Sequence, residues 1–79
     1  MANRAFVLVE TAVGKTREVA GALRVTDGVE SVDVVTGPYD IIAVVNSPDI
    51  GAIGSLVTEK MHSIVGLVRT VTCVAVTGN

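Results

Sequence analysis

Val34-Val35-Thr36-Gly37-Pro38-Tyr39-Asp40-Ile41-Ile42-Ala43-Val44-Val45 decides the fold of this chain. It reads as two apolar strands joined by a tight turn, and the turn carries a carboxylate. Gly37 supplies a permissive backbone, Pro38 fixes φ, and Asp40 stands at the mouth of the second strand. Such a turn presents free N–H groups beside one acidic side chain. Those are the groups that hold a zwitterion.

Before the turn, residues 29–36 read as a strand in which Val32 and Val34 alternate with Ser31 and Asp33, so one side is partly wet. After it, residues 39–46 form a strand that is apolar on both faces. Further back, residues 15–25 have helical spacing. Thr16, Val19, Ala22 and Leu23 share a face, and Arg17, Glu18 and Arg24 look outward. Gly28 is the expected left-handed C-cap of that helix. Residues 4–10 make the first strand, with Phe6 and Leu8 on one side and Ala5, Val7 and Val9 on the other.

Further forward, Ser47-Pro48-Asp49 signals a second helix. Ser47 caps, Pro48 takes the first helical position and Asp49 complements the dipole. Ile50, Ile53, Val57 and Met61 then repeat at helical spacing. Gly51 and Gly54 each weaken this helix by about 1 kcal/mol relative to alanine, and close packing on the sheet is the expected gain. Residues 64–77 form a long last strand with a bend at Gly66, and Gly78-Asn79 read as frayed.

The order is β-α-β-β-α-β. It predicts an α+β, ferredoxin-like fold: a four-stranded antiparallel sheet with both helices on one face. No helix remains for the other face, yet strands 4–10 and 39–46 are apolar there too. A second copy of the chain is the economical cover, so the fold is read as dimeric through the open sheet face.

Composition agrees. The chain has 79 residues, read as one domain over 1–79, and 49% of them are hydrophobic. A domain this short hides only about 60% of its unfolded surface, so such apolar content predicts a buried subunit interface. Net charge is −2 and the six Lys and Arg residues are scattered, which disfavours nucleic acid and anionic membranes as partners. Cys73 is the one cysteine; it reads as a small buried hydrophobe, and a reducing cytoplasm fits. Glu10 interrupts the first apolar run, so no signal peptide is read, and no segment reaches the length of a membrane span.

Gly14-Lys15-Thr16 lies between a strand and a helix, as in a phosphate-binding loop. That pattern requires a glycine where Val9 stands, so a plain helix start explains the triplet. His62, the one histidine, reads as a solvated helix end; no further metal ligands cluster around it. Asp33 reads as a solvent-facing strand residue. Asp40 enters an apolar strand and needs donors, which are either neighbouring backbone N–H groups or a ligand ammonium. Thr70 and Thr72 put two hydroxyls on one face of the last strand. Strand propensity alone accounts for them, and so does hydrogen bonding to a small polar ligand.

Taken together, the chain resembles the effector-binding domain of the Lrp/AsnC transcription regulators, the RAM domain (regulation of amino acid metabolism). The carriers are Ala5-Phe6-Val7-Leu8-Val9, Asp27-Gly28-Val29 leading to Val32, Val35-Thr36-Gly37-Pro38-Tyr39-Asp40-Ile41, and Val65-Gly66-Leu67-Val68-Arg69-Thr70-Val71-Thr72. The resemblance implies sheet-to-sheet dimers, often rings of them, commonly octamers. It implies a free amino acid bound between subunits near the β2–β3 turn, with Gly37, Pro38, Tyr39 and Asp40 lining the site. Thr70 and Thr72 join them from a neighbouring chain.

The regulators carry an N-terminal helix-turn-helix, whereas this sequence starts at the first strand. It is therefore read as a stand-alone member that does not bind DNA, with a full-length regulator as a further partner. The expected function is a cytoplasmic, non-enzymatic sensor without cofactor or metal. The alternative is a small dimeric α+β-barrel enzyme, a cofactorless oxygenase or isomerase, which requires an intrasubunit cavity holding His62 or Tyr39. A purely structural assembly module would show a Gly37-to-Asp40 turn fully satisfied by its own chain.

Overall fold

The computed structural model describes residues 3–76. Strand β1 (Asn3–Thr11) leads to helix α1 (Thr16–Arg24), then strands β2 (Val29–Val34) and β3 (Ile41–Ser47). Helix α2 (Ile50–Ser55) runs directly into a π-helical segment (Leu56–Met61), and strand β4 (Leu67–Val74) closes the order. The sheet is β2-β3-β1-β4 with every neighbouring pair antiparallel. This is the ferredoxin-like arrangement that the element order predicts.

The period of two in β1 divides the molecule. Ala5, Val7 and Val9 are fully buried and join Val19, Leu23, Ile41, Ala43, Val45, Ile53 and Met61 in one core. Both helices therefore cover the same sheet face. Phe6 and Leu8 point away from that core, as expected. Cross-strand register places Val44 and Cys73 beside Phe6, and Ile42 and Val71 beside Leu8. An apolar strip thus crosses the face that no helix covers. Arg4, Asn46, Glu10, Arg69 and Asp33 share that face by register and give it a polar border.

Several local expectations are corrected. The β2–β3 connection is not a tight turn: β2 stops at Val34, β3 starts at Ile41, and six residues lie between. Val35 N–H donates to the Asp40 carbonyl at 2.9 Å and closes that loop. Gly28 is not the C-cap of α1; Val25 is, and the positive φ of Gly28 (+95°) serves the turn into β2. Asp49, not Ser47, caps α2, its Oδ1 accepting from Gly51 N–H at 2.9 Å. Pro48 precedes the cap. Ser47 Oγ accepts from Asp49 N–H at 3.2 Å instead.

Ile50 is exposed, because the helix it opens meets the core only from Ile53 onward. Ala20, not Ala22, completes the buried face of α1. Gly51 and Gly54 do not pack on the sheet: a Cβ at Gly54 would meet nothing within 4 Å, and one at Gly51 only Asp49. Residues 64–66 form a turn, and the strand begins at Leu67. The expected strand end at Thr77 and the fraying of Gly78-Asn79 lie outside the described residues. Cys73 is exposed, since it sits on edge strand β4 and on the uncovered face.

Candidate functional site

Asp40 is fixed by the way the two central strands end. The β1–β3 ladder runs from Asn3↔Ser47 to Val9↔Ile41 and stops there. Asp40 N–H still donates to the Val9 carbonyl at 2.9 Å. Two residues further along β1, Thr11 N–H has no β3 backbone to meet. The Asp40 side chain takes that place, its Oδ2 accepting from Thr11 N–H at 2.9 Å. A register shift in the β1–β4 ladder at Glu10/Thr11 marks the same spot. Bulges at sheet ends commonly re-aim a side chain in this way.

The same oxygen takes a second bond. Thr11 Oγ1 donates to Asp40 Oδ2 at 3.2 Å, and Thr11 Oγ1 lies 2.7 Å from Thr16 Oγ1 at the start of α1. Asp40 is half-buried. Among the described residues its Oδ1 makes no hydrogen bond, nor do the backbone N–H groups of Gly37 and Tyr39. Both donors to this carboxylate come from Thr11, its backbone N–H and its hydroxyl, and none comes from the amides of the 37–40 loop.

Gly37 adopts φ +152°, a backbone setting that side chains of L-residues rarely take, with open space where a Cβ would be. Gly37 and Pro38 are exposed and Tyr39 is half-buried. Gly37, Pro38, Tyr39 and Asp40 therefore share one accessible loop at one end of the sheet.

Thr70 and Thr72 pair with Val9 and Val7, so both lie on the helix-side face of β4. Thr70 bonds to His62 Nε2 at 3.0 Å, which ties the end of the π-helical segment to the edge strand. Thr72 is exposed. Neither threonine bonds to the Asp40 loop within the chain. Sequence reasoning missed Thr11 and Thr16. The only signal was Thr11 at the end of an apolar run, and its bond to Asp40 spans 29 residues.

An open cleft of about 770 Å³ lies elsewhere, at the far end of β3. Asp27, Asn46, Ser47, Asp49, Glu59 and Lys60 are among its lining residues. It contains neither His62 nor Tyr39, so it does not supply the cavity that a barrel enzyme requires. No group of three or more candidate metal ligands occurs among the described residues. No described helix is long and apolar enough to cross a membrane.

The family model of the Lrp/AsnC ligand binding domain matches residues 4–77. The chain belongs to the Lrp/AsnC ligand-binding domain family. No curated protein matches it. A solved structure from Thermus thermophilus is 31% identical with a TM-score of 0.92, over 98% of this chain and 96% of that one. A hypothetical protein of Pyrococcus horikoshii is 33% identical with a TM-score of 0.86, over 99% of this chain and 93% of that one. A Neisseria meningitidis transcriptional regulator, solved as an L-methionine complex, shares the fold at 22% identity and a TM-score of 0.84. The match covers 95% of this Lrp/AsnC domain and 50% of the regulator, so the chain spans about half of that protein.

Proposed function

We propose that this Lrp/AsnC domain is a cytoplasmic, non-enzymatic sensor that binds a free amino acid where subunits meet, beside the loop of Gly37, Pro38, Tyr39 and Asp40. One observation carries the reading: Asp40 keeps Oδ1 unbonded in the same accessible loop as the N–H groups of Gly37 and Tyr39, which are also unbonded among the described residues. A carboxylate oxygen suits an α-ammonium, and amide N–H groups suit an α-carboxylate. The amino acid held by the N. meningitidis relative supports the same ligand class. Thr70 and Thr72 complete the site from a neighbouring copy, and no cofactor takes part.

The apolar strip on the uncovered sheet face supports a homodimer, and dimers assemble further, to an octamer, to bring the loops together. Net charge of −2 with scattered basic residues supports action without direct DNA contact. Regulation then passes through a full-length Lrp/AsnC regulator with which the domain co-assembles.

A thermal-shift screen of the twenty common amino acids at millimolar concentration tests this. At a hundredfold excess over Kd, one bound ligand adds about 2.7 kcal/mol to the folded state. Asp40→Ala is expected to abolish the shift and to leave the oligomer intact. A wild-type protein that responds to none of the twenty, and that carries none through purification, overturns the reading.

A further inference from the structure

We propose that Thr11 and Thr16 are positioning residues for the ligand site, acting as a two-hydroxyl chain that locks Asp40 so that only its Oδ1 faces a ligand ammonium. The inference rests on the reading of Asp40 as the ammonium acceptor. A hydroxyl has one proton to give. Thr11 Oγ1 spends its proton on Asp40 Oδ2 at 3.2 Å. The 2.7 Å contact between Thr11 Oγ1 and Thr16 Oγ1 then has one possible direction: Thr16 donates and Thr11 accepts. Proton order therefore runs from Thr16 through Thr11 to Asp40.

The backbone completes the lock. Asp40 N–H is held by the Val9 carbonyl and the Asp40 carbonyl by Val35 N–H, each at 2.9 Å. Thr11 N–H adds a second donor to Oδ2 at 2.9 Å. With the main chain fixed on both sides and one carboxylate oxygen fixed twice, rotation of the carboxylate is removed, and Oδ1 sits at one place. A preorganised acceptor spares the ligand the ordering cost of a free side chain. At the first residue of helix α1 the Thr16 hydroxyl is directed at Thr11.

The chain also gives each threonine a separable role. Thr11 has two contacts to the carboxylate, but only the hydroxyl one can be removed by side-chain substitution. Thr16 makes no hydrogen bond to Asp40 and acts through Thr11.

The test uses the full chain and the amino acid, among the twenty offered singly, that raises the wild-type midpoint furthest. Its Kd is measured by calorimetry for Thr11→Val, Thr11→Ser, Thr16→Val, Thr16→Ser and Asp40→Asn. Loss of a hydroxyl bond to a charged group is expected to weaken binding about tenfold in Thr11→Val. Thr16→Val, losing a neutral bond, is expected to weaken it about threefold. Both serine variants keep the hydroxyl and are expected to bind as wild type. The ligand-free midpoints of the Thr16 pair are expected to agree.

Wild-type affinity in both valine variants, with Asp40→Asn impaired, overturns the positioning role and leaves the Asp40 site standing. A serine variant as weak as its valine partner also overturns it, because methyl packing then explains the loss. Unaltered affinity in Asp40→Asn overturns the site itself and this inference with it. If Thr11→Val does not fold, the Thr16 pair decides.

Discussion

Gly66 shows how much one missing methyl group decides. It holds φ +98°, and a Cβ there would stand 2.8 Å from Lys15 Cβ and 3.1 Å from Val19 Cγ2. The first of those atoms belongs to a rigid part of the α1 start. The Gly66 carbonyl also accepts Ala12 N–H at 2.8 Å, so the turn is tied to the β1–α1 loop. Gly66→Ala combines a left-handed backbone cost of about 1 kcal/mol with overpacking of about 1–3 kcal/mol. Gly14 has φ +79° with nothing within 4 Å of its Cβ position, so Gly14→Ala bears only the backbone cost of about 1 kcal/mol. Urea unfolding of the two variants checks this; equal losses would remove the packing share. That Gly66 interrupts the run was legible in the sequence, though the sequence reads as a bend within a strand over 64–77 and the structure has a turn ahead of β4. Its neighbours were not, because Lys15 meets Gly66 only through the fold. The same holds for Thr11 and Asp40, which no local pattern joins.

Elements were legible where a period repeats. Unbroken apolar runs marked β1 and β3, alternation marked β2, and Val19, Leu23, Ile53, Val57 and Met61 marked the buried helix faces correctly. Element ends were less legible, because caps and bulges depend on which polar group finds a partner. Val35 and Thr36 have strand composition, yet they lie in the loop that the Val35–Asp40 bond closes. Helix α2 makes this quantitative. Asp49 bonds Gly51 N–H as its cap, so Asp49→Ala is expected to lower stability by about 1 kcal/mol. Gly54 is exposed with free space at its Cβ position, so Gly54→Ala is expected to raise stability by about 0.5–1 kcal/mol. Thermal or urea denaturation reads both, and their opposite signs guard against a general loss of folding. A loss in Gly54→Ala would mean that a partner surface approaches this helix.

The whole molecule has one covered sheet face and one that is not. Phe6, Leu8, Ile42, Val44 and Val71 run across the second face in register, inside a border of charged and amide side chains. An apolar centre with a polar rim is the anatomy of a protein interface. Burial of these side chains by a second copy would add stability to a chain of 79 residues, whose size lets it bury only a modest share of its own surface. Leu8 is the place to break it, since Ile42 and Val71 flank it on the two neighbouring strands. Leu8→Glu adds a charge beside Glu10 and Asp33 on the same face, and its own core-side neighbours Val7 and Val9 are untouched. Sedimentation is expected to show a monomer, with a retained far-ultraviolet spectrum and a lower midpoint that no longer rises with protein concentration. Val25→Lys removes an exposed valine, 83% accessible, at the C-cap of α1, away from this face, and is expected to leave the assembly unchanged. If Leu8→Glu stays assembled as wild type, subunits meet through another surface. If the ligand site is completed between copies, as proposed, the Leu8→Glu monomer is also expected to lose the amino-acid response while Asp40 and Thr11 remain in place. A monomer that still responds would put the whole receptor within one chain.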